Sequence, residues 1–291
     1  MKKIGFIFDS FVCLTKNELQ EMGYGYIPLI TEIDNETYLD GIDVDRRELL
    51  KKIAQTENIK TSLPYMATFA EVFGQMCSQY DEVIYLPISN KLSSTSSAAS
   101  NFLEEFKNLH IIDNSFVADQ YLEVAKFASK YFEKHQDINK LIEKIKEINQ
   151  KSLTFIVPKN IHYLVKGGRV SSFKKFMLGA MSIVKLLPYV KFDLEGTSTG
   201  GVGRGPKGVI KQIIAKFEEF TGLDTKEITQ QYKIFTINGI DEEFNSLAAE
   251  SFKQKGIEFA NKKLNSSVIA IHTGPEAQAF TLMPNLDNLE I

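Results

Sequence analysis

Short apolar segments that end in polar residues alternate with amphipathic segments over the first 150 residues of the chain. KIGFIFDS, DEVIYLPIS and LHIIDNS have the composition of buried strands, whereas DRRELLKKIAQ and residues 118–148 have helical periodicity. Apolar strands that alternate with helices are typical of a parallel sheet that is covered on both faces. This half therefore predicts an α/β domain with three layers, α/β/α, around a mostly parallel sheet.

The pattern changes after residue 150, where the strands no longer alternate with helices one by one. Four later segments are strand-like: LTFIVP, YVKFDL, QYKIFTI and SVIAIHTG. We therefore predict a first domain over residues 1–150 and an α+β domain over residues 151–291. No proline-rich or low-complexity linker separates the halves, so we expect them to pack together with a ligand between them.

The composition excludes several classes of protein. Hydrophobic residues make up 43% of the 291 residues and charged residues 24%, as in a soluble globular protein. The net charge of -3 argues against nucleic acid as the main partner. Cys13 and Cys77 are too few for a disulfide framework, which favours a cytoplasmic location. The most apolar window, residues 176–190, is too short to cross a bilayer and contains Lys185, so we expect no membrane span.

Neither a metal nor a cofactor is expected. The four histidines lack the spacing of zinc ligands, and no Cys-x-x-Cys pair occurs. The acidic residues between Asp40 and Glu48 are interpreted as N-terminal charges of the helix DRRELLKKIAQ rather than as a calcium loop. Gly203–Gly208 matches GxGxxG, but no predicted strand leads directly into it. We therefore interpret it as a surface loop and not as a dinucleotide site.

A run of hydroxyl residues, Ser93–Ser97, follows the apolar segment VIYLPIS. Polar residues also follow two other predicted strands, at Asp9–Ser10 and Asp113–Ser115, and Thr61–Ser62 is predicted to open a helix. In parallel sheets ligands bind at the carboxyl ends of the strands, and hydroxyls beside the free N–H groups of a helix N-terminus hold anions. One residue of the run is also expected to be an ordinary helix cap. The pattern predicts a site for a carboxylate or phosphate.

Several motifs occur in an order and at spacings that resemble the DegV family. They are TSLPY (61–65), ISNKLSSTSSAA (88–99), IDNS (112–115), LVKGGRVSS (164–172) and HTGP (272–275). The family is similar to the fatty-acid-binding subunits of bacterial fatty acid kinase. The resemblance implies a protein that holds one long-chain fatty acid and presents its carboxylate to a partner kinase. The acyl phosphate that forms there feeds phospholipid synthesis, and the carrier itself is not an enzyme.

The resemblance also implies roles for single residues. Thr61 and Ser93 are expected to bond the carboxylate through their hydroxyls. Ser62 and Ser94 are expected to add backbone N–H groups or a second hydroxyl. His272, at the end of a predicted strand of the second domain, is expected to close the site as a donor.

Two arginines are assigned to the charge of the head group by the same resemblance. Arg169 belongs to the KGGR motif, in which Gly167 and Gly168 allow a close approach of the backbone. Arg204 is assigned by a looser match, since the family tends to carry a basic residue in that region.

The chain departs from the family pattern at a few positions near these motifs. Tyr65 stands where a small hydroxyl residue is usual, and Leu63 where a polar residue is common. Ser94 replaces a glycine, and Cys13 and Thr15 replace an aspartate and a proline. These changes bear on acyl specificity and on the surface that faces the kinase.

Two other functions remain open from the residues alone. Ser93, His272 and either Asp9 or Asp113 are the side chains that a serine hydrolase uses as nucleophile, base and orienting acid, although no GxSxG elbow occurs. A third hypothesis is that the protein carries an apolar ligand other than a fatty acid. The window FKKFMLGAMSIVKLL offers Met and Phe side chains to line an apolar slot, or it is ordinary core. A lipid carrier also implies transient membrane contact for exchange.

Overall fold

Three β-sheets form the framework of the chain in a computed structural model that describes residues 1–168 and 186–291. The strands are β1 (Ile4–Asp9), β2 (Gly25–Ile27), β3 (Ile30–Ile33), β4 (Glu36–Leu39), β5 (Ile59–Ser62), β6 (Glu82–Leu86), β7 (Leu109–Ile111), β8 (Leu153–Val157), β9 (Leu186–Asp193), β10 (Gly196–Arg204), β11 (Tyr232–Asn238), β12 (Asn261–Leu264) and β13 (Gln278–Pro284).

The helices of the described residues vary from five to 17 residues in length. They are α1 (Lys16–Glu21), α2 (Arg46–Gln55), α3 (Met66–Gln79), α4 (Thr95–Ala99), α5 (Asp119–His135), α6 (Ile138–Gln150), α7 (His162–Gly167), α8 (Gly205–Thr221), α9 (Thr225–Gln231), α10 (Glu242–Lys253) and α11 (Ser267–Thr273).

The first sheet is parallel throughout, in the order β2-β1-β6-β7. Alternate residues of β1 point to opposite faces, so that Phe6 and Phe8 pack with α5 while Ile7 packs with α3. This sheet therefore has helices on both faces, as the alternating apolar segments predict. The α/β/α architecture of the N-terminal half is confirmed.

The second sheet has the order β10-β9-β8-β13-β11-β12 and is antiparallel except between β11 and β12. One face carries Phe155, Phe280 and the apolar side of α8 and α10. The other face contributes Phe192 and Ile237 to the core that contains α5 and α6. The α+β character of the second half is thereby confirmed, and its sheet shares one core with the N-terminal half.

A small antiparallel sheet, β4-β3-β5, joins the two larger ones. It packs with α2 and with α11, which comes from the far end of the chain. The N-terminal half therefore contacts a helix that follows β12 in sequence.

The segment SVIAIHTG is a helix, α11, so the prediction of a strand that ends at His272 was wrong. β-Branched residues at positions 268, 269 and 271 favour a strand locally. The helix forms because Ser266 caps it, accepting a hydrogen bond from the Ile269 N–H, and because six of its residues are buried in the core. Tertiary packing outweighs the local preference.

Thr61 and Ser62 do not open a helix, as was predicted, but end strand β5. Thr61 pairs with Thr31 of β3, and the helix α3 begins only at Met66. Pro64 separates the two elements, because the residue before a proline is disfavoured in helical conformation.

The predicted helix over residues 118–148 is two helices, α5 and α6. Gln136 takes a left-handed conformation with φ 52°, which ends α5, and Asp137 caps α6 by accepting from the Lys140 N–H. The hydroxyl run enters only the short helix α4, which is followed by a 3-10 turn at Ser100–Phe102.

Gly203–Gly208 is not a surface loop, because β10 runs into α8 with no loop between them. A Cβ atom on Gly203 would lie 2.4 Å from the backbone nitrogen of Val209, so glycine lets the strand touch the first turn of the helix. β10 pairs antiparallel with β9, whereas a dinucleotide fold needs a parallel βαβ unit. The conclusion that this is no dinucleotide site is unchanged.

The buried carboxylate of Asp40 connects the N-terminal half to α11. Its Oδ1 accepts hydrogen bonds from the N–H and the hydroxyl of Ser267, at 2.9 and 2.6 Å. Its Oδ2 accepts from Arg46 at 3.3 Å, and Arg46 also donates to the Leu14 carbonyl at 3.1 Å. A carboxylate at a helix N-terminus pairs with free N–H groups and with the positive end of the helix dipole. This network fixes the position of α11.

Ser267→Ala is expected to lower the free energy of unfolding by about 1.5–3 kcal/mol, because it removes a buried hydrogen bond to a charged group. Urea denaturation measures the change. Ser251→Ala is the matched control: its hydroxyl donates to the Leu247 carbonyl within α10, and we expect a change within about 0.5 kcal/mol. Equal losses in the two variants would contradict the role of Asp40.

Asp9 is also buried, and burial raises the pKa of its carboxyl group to about 7, although it accepts hydrogen bonds from Phe11 and Ile88. An unfolded aspartate titrates near pH ~3.9, so between these values the folded state holds more protons than the unfolded chain. The contribution of Asp9 to stability is therefore present below about pH 4 and is lost as the pH rises through about 7.

The free energy of unfolding of the wild type is accordingly expected to fall more steeply between about pH 4.5 and 7.5 than that of Asp9→Asn, which has no titrating group there. Denaturation curves at a series of pH values measure both slopes. Parallel profiles would show that Asp9 titrates normally.

Candidate functional site

A cavity of about 250 Å³ lies where the three sheets meet. Its walls come from the end of β5, the loop after β6, helix α11 and the inner face of the six-stranded sheet. Of the described residues that line it, none is an aspartate, glutamate, lysine or arginine. Such a wall suits an apolar ligand with one polar group.

One end of the cavity is polar and open to solvent. All five residues that were assigned to a carboxylate line the cavity: Thr61, Ser62, Ser93, Ser94 and His272. Ser62 and Ser94 are exposed, whereas the other three are half-buried. These five residues, with the exposed Leu63, form what we call the mouth.

Thr61 and His272 meet across 211 positions of sequence, with 3.0 Å between Oγ1 and Nε2. Pairing of β5 with β3 positions Thr61, and the Asp40 network positions the helix of His272. A Cβ atom on Gly167 would lie 2.7 Å from His272 Nδ1, so this glycine of the KGGR motif allows α7 to end against the imidazole.

The hydroxyl run reaches the cavity through its first two members. Ser93 Oγ lies 2.8 Å from Thr95 Oγ1 and accepts a bond from the Thr95 N–H at 3.3 Å. Ser93 thus supports the start of α4 and also faces the cavity, as a helix N-terminus that receives an anion requires. Asp113 fixes the preceding loop by accepting from the Asn90 N–H at 2.8 Å.

Glu32 contacts a residue of the mouth, Ser62, and sequence reasoning missed this contact. Its Oε1 accepts the hydroxyl of Ser62 at 2.8 Å, and its Oε2 forms an ion pair with Lys60 at 2.7 Å. The hydrogen bonds from Lys60 and Ser62 hold the pKa of Glu32 below its usual value. No local signal identifies this contact, because it depends on the register between β3 and β5. The hydroxyl of Ser62 is therefore engaged with Glu32.

The interior of the cavity is apolar. Four side chains form a row across neighbouring strands in strict register, and all four line the cavity: Val190, Ile156, Ala279 and Ile237. A second row runs beside it through Thr197 of β10, Phe192 of β9 and Thr154 of β8. The lining thus extends from β10 to β11, five neighbouring strands, which at ~4.8 Å per spacing is about 19 Å.

The two assigned arginines do not contribute to the described wall. Arg204 ends β10 and is exposed, and it is not among the described residues that line the cavity. Arg169 lies outside the described residues, as does most of the window FKKFMLGAMSIVKLL. Their roles stay predictions.

The side chains of the hydrolase alternative have other partners. Asp9 accepts the N–H groups of Phe11 and Ile88, Asp113 accepts that of Asn90, and Ser93 pairs with Thr95. His272 lies beside the Thr61 hydroxyl instead of Ser93. This arrangement suits shared binding of an anion better than activation of one nucleophile.

The described residues contain neither a cluster of metal-ligating side chains nor a membrane-spanning helix. Within residues 1–168 and 186–291, no group of three or more His, Cys, Asp or Glu side chains is placed to hold a metal ion. No helix in the same part of the chain is both long and apolar enough to cross a membrane.

Comparison with known proteins gives matches along nearly the whole chain. The profile of the DegV family, described as uncharacterised proteins, matches residues 3–285. A DegV domain-containing protein of Mycoplasmopsis pulmonis is 27% identical over 288 residues, which cover 97% of this chain and 95% of the relative. A DegV domain-containing protein of Lactococcus lactis is 29% identical over 288 residues, which cover 96% of this chain and 98% of the relative.

Solved structures share the fold. A fatty-acid-binding DegV family protein from Thermus thermophilus superposes with a TM-score of 0.82 at 21% identity, covering 98% of this chain and 100% of the other. A stearic-acid-binding protein from Eubacterium ventriosum superposes with a TM-score of 0.82 at 20% identity, covering 99% of this chain and 100% of the other. Since the family profile extends over residues 3–285, the chain belongs to the DegV family.

Proposed function

We propose that this protein binds one long-chain fatty acid, with the carboxylate at the mouth and the acyl chain in the apolar cavity. The observation that carries the proposal is the division of one cavity into a hydroxyl-lined open end and a buried apolar row. The likeness in fold to DegV proteins that bind fatty acids supports it. An extended chain of 16 to 18 carbons, at ~1.2 Å per bond, also fits a lining about 19 Å long.

The carboxylate is expected to bind through donors that reach the mouth from three elements. Thr61 and Ser93 supply hydroxyls, and His272 supplies a ring N–H next to Thr61. Ser62 and Ser94 add backbone N–H groups. Neutral donors in a partly buried site form charge-assisted bonds with a carboxylate, which are stronger than bonds between neutral groups.

The acyl chain supplies most of the affinity. Burial of about fourteen methylenes at about 0.8 kcal/mol each gives an upper bound of about 11 kcal/mol before the costs of binding. The hydroxyls therefore mainly orient the ligand, so that its carboxylate faces solvent. Ser62 and Ser94 are exposed, which leaves room for a second protein at the head group.

A carboxylate held at an open mouth suits a substrate carrier for a separate enzyme. We infer that a partner kinase phosphorylates the bound carboxylate in the cytoplasm and that the acyl phosphate then enters phospholipid synthesis. In this account the protein binds and orients, while the kinase provides the chemistry. Transient contact with a membrane surface would load or release the lipid.

Thr61→Val or Ser93→Ala is expected to weaken the binding of oleate or palmitate, because each leaves the carboxylate short of one charge-assisted donor worth about 1.5–3 kcal/mol. Isothermal titration with delipidated protein measures the change, about 10- to 100-fold in Kd. Ser78→Ala is the control, since that hydroxyl donates to the Gln75 carbonyl on an exposed helical turn. Unchanged affinity in both mouth variants would overturn the head-group assignment.

Arg169→Ala is expected to lower the formation of acyl phosphate by the partner kinase more than it lowers fatty-acid binding. A cation beside the head group stabilises charge that develops on phosphoryl transfer, whereas the acyl chain provides most of the binding. Single-turnover phosphorylation and direct titration separate the two effects, and Arg204→Ala tests the second assigned arginine in the same way. Normal phosphorylation in Arg169→Ala would remove that residue from the site.

A further inference from the structure

Two buried threonine hydroxyls beside the cavity have no hydrogen-bond partner within residues 1–168 and 186–291. Thr154 and Thr281 are 1% and 0% exposed, and they stand directly opposite each other on β8 and β13. Among the described residues, neither Oγ1 has a hydrogen-bond partner, and the two do not bond each other. Buried hydroxyls are nearly always bonded, so a pair of adjacent exceptions calls for a partner that the described residues do not supply.

Both threonines project from the face of the sheet that holds the cavity. Thr154 alternates with Leu153 and Phe155, which pack in the core on the opposite face, and it lines the cavity next to Phe192. Thr281 alternates in the same way with its neighbours on β13. Directly opposed residues of antiparallel strands have Cβ atoms about 4.5–5.5 Å apart, so an oxygen placed between the two side chains is near both hydroxyls. Of the two residues, Thr154 lines the cavity.

The pair lies near the middle of the lining. Its strand β8 is the central one of the five from β10 to β11, so Thr154 is about 10 Å from either end, at ~4.8 Å per strand. At about 1.2 Å per bond of an extended chain, this is roughly eight bonds. An oxygen bound between β8 and β13 lies about 12 Å from the β10 end and about 7 Å from the β11 end, which is roughly six to ten bonds.

We infer that the cavity is built for a fatty acid that carries an oxygen near the middle of its chain, as a hydroxyl or oxo group, and that Thr154 and Thr281 bind this oxygen. The inference rests on the proposed function and refines its ligand class. A hydroxyl or oxo group accepts from both threonines, whereas a saturated chain leaves both unbonded. The apolar row beside the pair accommodates the rest of the chain.

The test compares stearic, 10-hydroxystearic, 10-oxostearic and 2-hydroxystearic acids by competition titration with the delipidated full-length protein. One or both 10-substituted acids are expected to bind at least about fivefold more tightly than stearic acid, the size of one net hydrogen bond. 2-Hydroxystearic acid is expected to show no such preference, because its oxygen lies beside the carboxylate. The ratio of the dissociation constants of the 10-hydroxy and 10-oxo acids shows which of the two oxygen groups the threonines prefer.

Thr154→Val keeps the shape of the side chain and removes the hydroxyl, so the preference for the 10-substituted acids is expected to disappear while stearic acid binds equally or more tightly. Thr281→Val provides the second variant. Retained binding of stearic acid shows that each variant is folded. Thr61→Val is the contrast, because it is expected to weaken all four acids alike and to leave the ratio unchanged.

Two results would overturn this inference: equal binding of stearic and 10-substituted acids by the wild type, or a preference that persists in Thr154→Val. The first is expected if an ordered water occupies the threonine pair. In both cases stearic acid still binds, and the proposed function stands. If none of the acids binds, the proposed function fails as well.

Discussion

The site depends on a buried carboxylate that does not itself line the cavity. Asp40 accepts two hydrogen bonds from Ser267 at the N-terminus of α11, and Arg46 neutralises its other oxygen. Since α11 carries His272, these bonds between distant parts of the chain bring the imidazole to Thr61. A charge in such a place is tolerated only because it is fully hydrogen-bonded and paired. The segment 38–41, which contains Asp40, thus has a structural role in positioning the mouth.

The cavity has separate parts for orienting a ligand and for providing the binding affinity. The mouth collects hydroxyls and an imidazole from β5, the loop after β6 and α11, and polar contacts behind it, such as Glu32 to Ser62 and Asp113 to Asn90, hold these elements in place. The interior presents a row of inward-facing apolar residues in register, beside a second row that includes Thr154 and Thr197. A ligand with one anionic end and a long apolar tail satisfies both parts, whereas a small polar ligand satisfies only the first.

The sequence was most informative where the structure of a segment depends on the composition of that segment alone. The apolar segments of β1, β6 and β7, which alternate with helices, predict a buried parallel sheet, since helices on both faces of such a sheet cover its strands. The ordered motifs identify the family, and the five residues assigned to the carboxylate do line one cavity. Their role as ligands of a carboxylate stays a prediction.

Predictions from the sequence failed where contacts between distant segments determine the local structure. α11 has a strand-like composition and becomes a helix because Ser266 caps it and Asp40 binds its first turn. Glu32 reaches the mouth, and Thr154 faces Thr281, through strand registers that no local pattern reveals. Such contacts depend on pairing between residues that are far apart in the chain, so their signal is absent from any short window.

Native mass spectrometry of the purified protein, followed by organic extraction of its cargo, shows whether the protein carries a fatty acid. We expect one long-chain fatty acid per chain, released on extraction, and we expect the delipidated protein to take up stearic or oleic acid at the same stoichiometry. A protein that carries no lipid and takes up no fatty acid would contradict the carrier function. The hydrolase and the carrier of another apolar ligand would then become the leading accounts of the same cavity.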